Sequence, residues 1–342
     1  MHSTNTHMIH QTATVLYIPF VSYKRIILGS TKSLLFSCTG VPADCKFCDK
    51  HKTITSICLS TEQVVTVPFA LGIMTAAQLS ELVKNPQTTL MDTTFGVNRY
   101  GFELATMSLI NEFANGFPFA HAILQHTNAT ELSKFLRAVQ SRVVPRLGRP
   151  WRPTFIIDMD VAEVNAIKAV FGEDYAKSSI IYCTWHVTKA WVKNAWEKMP
   201  SNSTQRFDRS NCLTELLDVL YTVTEKGERA VPSQKLTAWV SKWAPVFPVY
   251  VKYIDDNYRP TIHRWAHALM DFAHADQYTN NLLERWHRTL KEYCHWKSNS
   301  RLDWLFTQLL NLCDNMWTRV ICQRQGAFGN AKHAKKLEVG PS

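Results

Sequence analysis

The segment Phe155-Ile156-Ile157-Asp158-Met159-Asp160-Val161-Ala162-Glu163 sets three apolar β-type residues against two aspartates and the start of a helical run. Phe155 to Ile157 read as the end of a buried strand and Val161 onward as a helix. Asp158 then lies at the carboxyl end of a strand, the edge of an α/β sheet where ligands and catalytic groups collect. Asp160 has a structural task. Asp160-x-x-Glu163 resembles a capping box, with Asp160 accepting from the Glu163 amide and the Glu163 side chain reaching back. Asp158 has no such task, which makes it the candidate for chemistry.

Working outward, Thr88 to Asp92 reads as a strand ending at Asp92, and Tyr100–Asn111 and Pro118–His126 as two more, joined by a turn at Asn115-Gly116. Thr130 is the expected cap of a helix with apolar residues at Leu132, Phe135, Leu136, Val139 and Val143, ended by Pro145 near Arg146. Val161–Phe171 follows as a second helix and Ser178–Cys183 as a fifth strand. Three meandering strands, then helix, strand, helix, strand is an α/β order with a five-stranded mixed sheet flanked by helices. From Thr184 to about Tyr278 the strand signal stops, and this stretch holds Trp185, Trp191, Trp196, Trp239, Trp243 and Trp265 of the 11 tryptophans. Leu213-Leu216-Leu217-Leu220 and Leu236-Trp239-Val240-Trp243 have helical spacing, so the stretch reads as an all-helical insertion. A helix from Asn281 to about His295 and an amphipathic helix from Leu302 to Val320 complete the pattern.

The expected organisation is an N-terminal region at 1–86, a core at 87–183, the insertion at 184–278, final core helices at 279–325 and a basic tail at 326–342. The first region holds short β-like runs at Thr14–Phe20, Ile26–Leu28 and Val64–Ala70, then a helix capped by Thr75. It also holds Cys38, Cys45, Cys48 and His51, zinc-type ligands within 14 residues, which make either a small structural zinc module or a reduced loop.

The 46% hydrophobic content of this 342-residue chain excludes disorder, and nine cysteines do not make a disulfide scaffold. No apolar run approaches the ~20 residues of a membrane span, so a soluble intracellular protein with no membrane partner is expected. A net charge of +10 and a pI near 9.1 favour a polyanionic partner.

Two further carboxylates share the standing of Asp158. Asp92 sits in an apolar strand, where a carboxylate is costly unless paired or metal-bound; otherwise it is a hydrogen-bonded turn aspartate above Thr93 and Thr94. Glu284 lies in Thr279–Tyr293, "TNNLLERWHRTLKEY", where Asn281-x-x-Glu284 again resembles a capping box. The same helix carries Arg285, His287, Arg288 and Lys291, which suit phosphate contacts. His287, Trp286 and Trp296 are candidates for DNA stacking or for packing against the inserted helices. Cys183-Thr184-Trp185-His186 is half a zinc site, or a buried cysteine beside a helix-starting histidine.

Together these residues resemble the transposase domain of Mutator-like elements, of the DDE class with an RNase H-like fold. The resemblance is carried by "DTTFGVNRYGFEL" from Asp92, the fourth-strand Asp158, Cys183-x-x-His186 and "TNNLLERWH", and covers roughly Gln87 to Tyr293. Its most specific part is Ala166–Val187, "AIKAVFGEDYAKSSIIYCTWHV". Asp158 stands 66 residues after Asp92, and Glu284 stands 126 after Asp158; a helical insertion before the Glu-bearing helix accounts for the excess. The resemblance implies that Asp92, Asp158 and Glu284 hold two Mg²⁺ or Mn²⁺ ions around a scissile phosphate, with Cys183 and His186 in support. It implies DNA cleavage and strand transfer at transposon terminal inverted repeats, a nuclear location and a homodimer or larger assembly on DNA. A transposase-derived DNA-binding or regulatory protein without catalysis is the alternative, and a generic RNase H-like nuclease a third reading. The zinc-bearing modules that relatives carry on either side are not recognisable, and Asp158-Met159-Asp160 replaces the family's frequent Asp-Gly-like context.

Overall fold

A computed structural model describes residues 64–200, 205–223, 230–270, 274–296 and 300–326, and places short strands before them at Val15–Leu16, Ile27–Leu28, Leu34–Leu35 and Ile54–Ile57. The cluster Cys38, Cys45, Cys48 and His51 and the basic tail after Gly326 lie outside the described residues. The chain forms two compact units: residues 1–86, 91–151 and 282–342 in the first, and 87–90 with 152–281 in the second. The strand Thr88–Thr94 gives its first three residues to the second unit and its last four to the first.

In the first unit, Ala70–Ile73 pairs antiparallel with Gly116–Leu124, which pairs antiparallel with Glu103–Ile110. Glu103–Ile110 and Gly116–Leu124 are buried almost throughout, without the alternation of a half-solvated sheet. That pattern requires helices over both faces. Ala76–Lys84, Ala129–Leu147, Leu302–Arg324 and, from Leu282 onward, Asn281–Tyr293 are helices of this unit. Thr75 caps the first through a reciprocal box with Gln78. The cap of Ala129–Leu147 is Asn128, not Thr130: its Oδ1 accepts from the Glu131 N–H at 3.0 Å. Pro145 is accommodated in the last turn, and the helix stops instead at Gly148, which takes the left-handed conformation at φ 65°.

In the second unit, Thr154–Ile157 runs parallel to Thr88–Leu90, with Ile156 opposite Leu90. It also runs parallel to Ile180–Tyr182, with Ile157 opposite Tyr182. Val161–Phe171 is a helix with the expected bounds. Its cap is Asp160, but the bond goes to the Ala162 N–H at 2.6 Å rather than to Glu163. A short helix, Glu173–Ser179, takes the first residues of the expected fifth strand. After it come the helices Thr184–Lys198, Gln205–Leu220, Val231–Trp243 and Pro248–Tyr258. Tryptophans fill their centre. Trp191 meets Trp265 edge-on at 5.2 Å and Tyr258 at 5.5 Å, and the Trp239 indole N–H donates to the Cys212 carbonyl.

Antiparallel pairing in one unit and parallel pairing in the other make this a mixed α/β fold, consistent with the RNase H-like class. The sheet extends beyond the five expected strands by Ala70–Ile73 and Val15–Leu16.

Candidate functional site

Each unit holds its own set of candidate residues. In the first, Asp92 lies within the strand Thr88–Thr94, which runs two residues past the expected end. A carboxylate in a mostly buried strand needs partners. Its Oδ1 accepts the Thr93 N–H at 2.8 Å, and its Oδ2 lies 3.2 Å from Nδ1 of His287. His287 is buried, on the helix Asn281–Tyr293. Glu284 stands three residues earlier, so it shares the helix face that meets Asp92. Asn281 is the first residue of this helix rather than its cap. The helix approaches the strand at Gly116 so closely that a Cβ there would meet Leu282 Cβ at 2.9 Å, which accounts for glycine at that position.

The same helix sorts the other candidates. Trp286 is buried and stacks on His121, with ring centroids 5.6 Å apart, so it packs against the sheet of its own unit. Arg285 and Arg288 are exposed, and Lys291 reaches over the exposed Phe95 ring at 5.3 Å. Trp296 is exposed, at a left-handed turn after the helix.

In the second unit, Asp158 follows the strand Thr154–Ile157 and Cys183 follows Ile180–Tyr182. The parallel register sets these strand ends side by side, and the Cys183 N–H extends the ladder to the Ile157 carbonyl at 2.8 Å. Cys183 also opens the helix Thr184–Lys198, whose first turn brings His186 back over it. His186 Nδ1 lies 2.7 Å from Asp158 Oδ1. The buried Cys183 Sγ accepts the Asn280 N–H at 3.2 Å. One ligand atom from each of Asp158, Cys183 and His186 falls within 4.8 Å of the others. Burial works against a charge on His186, but hydrogen bonds and charge from Asp158 and Cys183 outweigh it and raise its pKa to about 10.

A third feature was not singled out in the sequence. The outer face of Thr184–Lys198 carries Trp185, Lys189, Val192, Lys193 and Trp196, with the first four lining a shallow cavity of about 370 Å³. Trp185 and Trp196 are exposed, and Lys189 Nζ sits 4.3 Å over the Trp185 ring. The opposite face, Val187, Trp191 and Ala195, is core. The helical spacing of these positions was the signal that separates the two faces.

Residues 88–190 match the family model of the MULE transposase domain. No curated protein matches the chain. The matched segment contains Asp92, Asp158, Cys183 and His186 and ends within Thr184–Lys198; Glu284 lies beyond it. A MULE transposase domain points to DNA as the partner and to a metal-dependent nuclease family. Among the described residues no helix is long and apolar enough to cross a membrane.

Proposed function

We propose that this chain is the catalytic part of a DNA transposase, cutting and joining phosphodiester bonds at transposon ends through Asp92, Asp158 and Glu284. The observation that carries the reading is the 3.2 Å contact between His287 and Asp92. It ties the strand bearing one carboxylate to the helix face bearing another, Glu284.

The donor set fits divalent cations. Three carboxylates offer hard oxygen ligands of the kind that suit Mg²⁺ and Mn²⁺, and without cations they would repel one another. When bound, a pair of such ions activates a water or a DNA 3′-hydroxyl and neutralises the leaving oxygen. The protein's own groups orient and hold. His287 fixes the Asp92 carboxylate, and the backbone N–H of Thr93 holds its other oxygen. Arg285, Arg288 and Lys291 line up phosphates from the exposed side of the helix. In the second unit, Trp185 with Lys189 and Lys193 receives DNA by stacking and charge. The substrate is duplex DNA carrying terminal inverted repeats, the working location the nucleus, and the working form a pair of copies, one for each transposon end.

The test is Mn²⁺-dependent nicking of supercoiled plasmid by the purified chain. Asp92→Asn, Asp158→Asn and Glu284→Gln are expected to lose nicking, and Asp160→Asn, which alters only a helix cap, to keep it. Nicking that survives Asp158→Asn removes the reading. Plasmid binding without nicking by every protein, wild type included, favours a transposase-derived DNA-binding protein.

A further inference from the structure

We propose that Asp158, Cys183 and His186 form a binding site for a single thiophilic transition-metal ion of the Zn²⁺ class, distinct in chemistry from the hard-cation site above. The two share Asp158, but the new site rests on its own geometry. Its three donors are a carboxylate oxygen, a thiol sulfur and an imidazole nitrogen, all within 4.8 Å of one another. Mg²⁺ does not favour sulfur or imidazole, whereas Zn²⁺ takes all three donor types.

The backbone preorganises the set. Asp158 and Cys183 end two strands paired in parallel register, and the Cys183 N–H bonds the carbonyl of the residue before Asp158. His186 is fixed by the first turn of a 15-residue helix that Cys183 itself opens. That turn is tied down from outside: the Thr184 N–H donates to the Tyr278 carbonyl, and Thr184 Oγ1 lies 3.0 Å from His267 Nε2. The ligands therefore need little reordering to meet one ion.

Cys183 stands at the start of the helix Thr184–Lys198, where the backbone dipole suits a negatively charged ligand set. Its Sγ is buried and accepts the Asn280 N–H, a hydrogen bond that supports a coordinated sulfur. Metal–ligand bonds of ~2.0–2.3 Å in tetrahedral arrangement separate ligand atoms by about 3.5 Å. The 2.7 Å between Asp158 Oδ1 and His186 Nδ1 is a hydrogen-bond separation, so binding replaces a shared proton by the ion and opens this pair slightly. Three protein ligands leave a fourth tetrahedral position, the pattern of a zinc site that accepts water or substrate. The second carboxylate oxygen of Asp158 serves the hard cation.

The test uses Co²⁺ as a spectroscopic substitute on the full chain after removal of metal by a chelator, without any measure of DNA cleavage. The expected result is uptake of one equivalent with tetrahedral d–d absorption and a thiolate-to-cobalt charge-transfer band, unaffected by excess Mg²⁺. Cys183→Asp is expected to keep a cobalt site while losing the charge-transfer band. His186→Gln is expected to weaken binding by about 100-fold or more. Both variants are checked for folding by circular dichroism. Cys45→Ser/Cys48→Ser is expected to leave the band intact. A band that survives Cys183→Asp, a band that disappears with Cys45 and Cys48, or no cobalt uptake at all overturns the site. Any of these leaves the nuclease reading standing, since that reading is judged on nicking alone.

Discussion

Replacing Arg324 by alanine tests how the last described helix is fastened to its unit. Glu81 has a fully buried side chain on the helix Ala76–Lys84, a position a carboxylate tolerates only with strong partners. Arg324 supplies a two-pronged clamp, Nη1 to Oε1 at 2.8 Å and Nη2 to Oε2 at 2.6 Å. Its Nε reaches Glu112 at 2.6 Å. Lys84 also touches Glu81, at 3.0 Å, but its own side chain is half exposed. Breaking a buried pair by removing one partner costs about 3–5 kcal/mol, because the remaining charge is stranded. Lys84 recovers part of that, and the outer Glu112 contact adds at most about 1 kcal/mol. The net expectation is about 3 kcal/mol, or roughly 1 M in the urea midpoint for a slope near 3 kcal/mol/M. The assay is urea unfolding followed by far-ultraviolet circular dichroism for the wild type, Arg324→Ala and Glu81→Gln/Arg324→Ala. The double variant strands no charge and should recover most of the loss. A midpoint shift below about 0.2 M for Arg324→Ala, or a double variant no better than the single, refutes the reasoning.

Other expectations follow from the site. His287→Ala, which releases Asp92 Oδ2, should lower Mn²⁺-dependent nicking by about 10–100-fold while plasmid binding holds; parallel nicking and gel-shift assays check this, and equal loss of both contradicts it. Lys189→Ala/Lys193→Ala should weaken DNA binding uniformly across sequences and reduce the slope of log affinity against log salt by about 2, measured by fluorescence anisotropy. In metal-free protein His186 titrates at about 10, above its ordinary 6.5, so its pairing stabilises the fold fully below about pH 6.5 and is lost as pH rises through about 10. Urea midpoints at pH 6 and pH 10 should differ less in His186→Gln than in the wild type.

Local signals in the sequence carried much of the fold. Val161–Phe171 was legible to the residue because a capping aspartate and a terminal glycine bracket one apolar run. The misplacement of the other cap has a physical cause. Asn128 and Thr130 are both good caps, and Asn128-x-x-Glu131 is the pattern that decides between them. Glu173–Ser179 was hidden because a seven-residue helix offers too few turns for a period to emerge. Of the site, the helix face joining Glu284 to His287 was implicit in their spacing, but the contact of His287 with Asp92 is tertiary, between residues 195 apart, and no local pattern encodes it. Cys183 and His186 were visible as a pair. Their third member, Asp158, enters through strand register, which the sequence does not state.

The choice of histidine beside each aspartate bears on chemistry. An arginine or lysine next to Asp92 or Asp158 would neutralise the carboxylate permanently and compete with any cation for it. Imidazole can hold a carboxylate by one N–H and still give up its charge. The raised pKa of His186, set against the opposing effect of burial and due chiefly to its hydrogen bond with Asp158, fits a proton held beside that carboxylate. An ion entering that space has only to displace the proton, and the fold loses no permanent counter-charge when it does. An ion entering beside His186 would then release a proton and bind more strongly as pH rises. In the proposed site the His186 partner would thus be a reversible placeholder for a metal, keeping the half-buried Asp158 paired before a cation arrives without closing it afterwards.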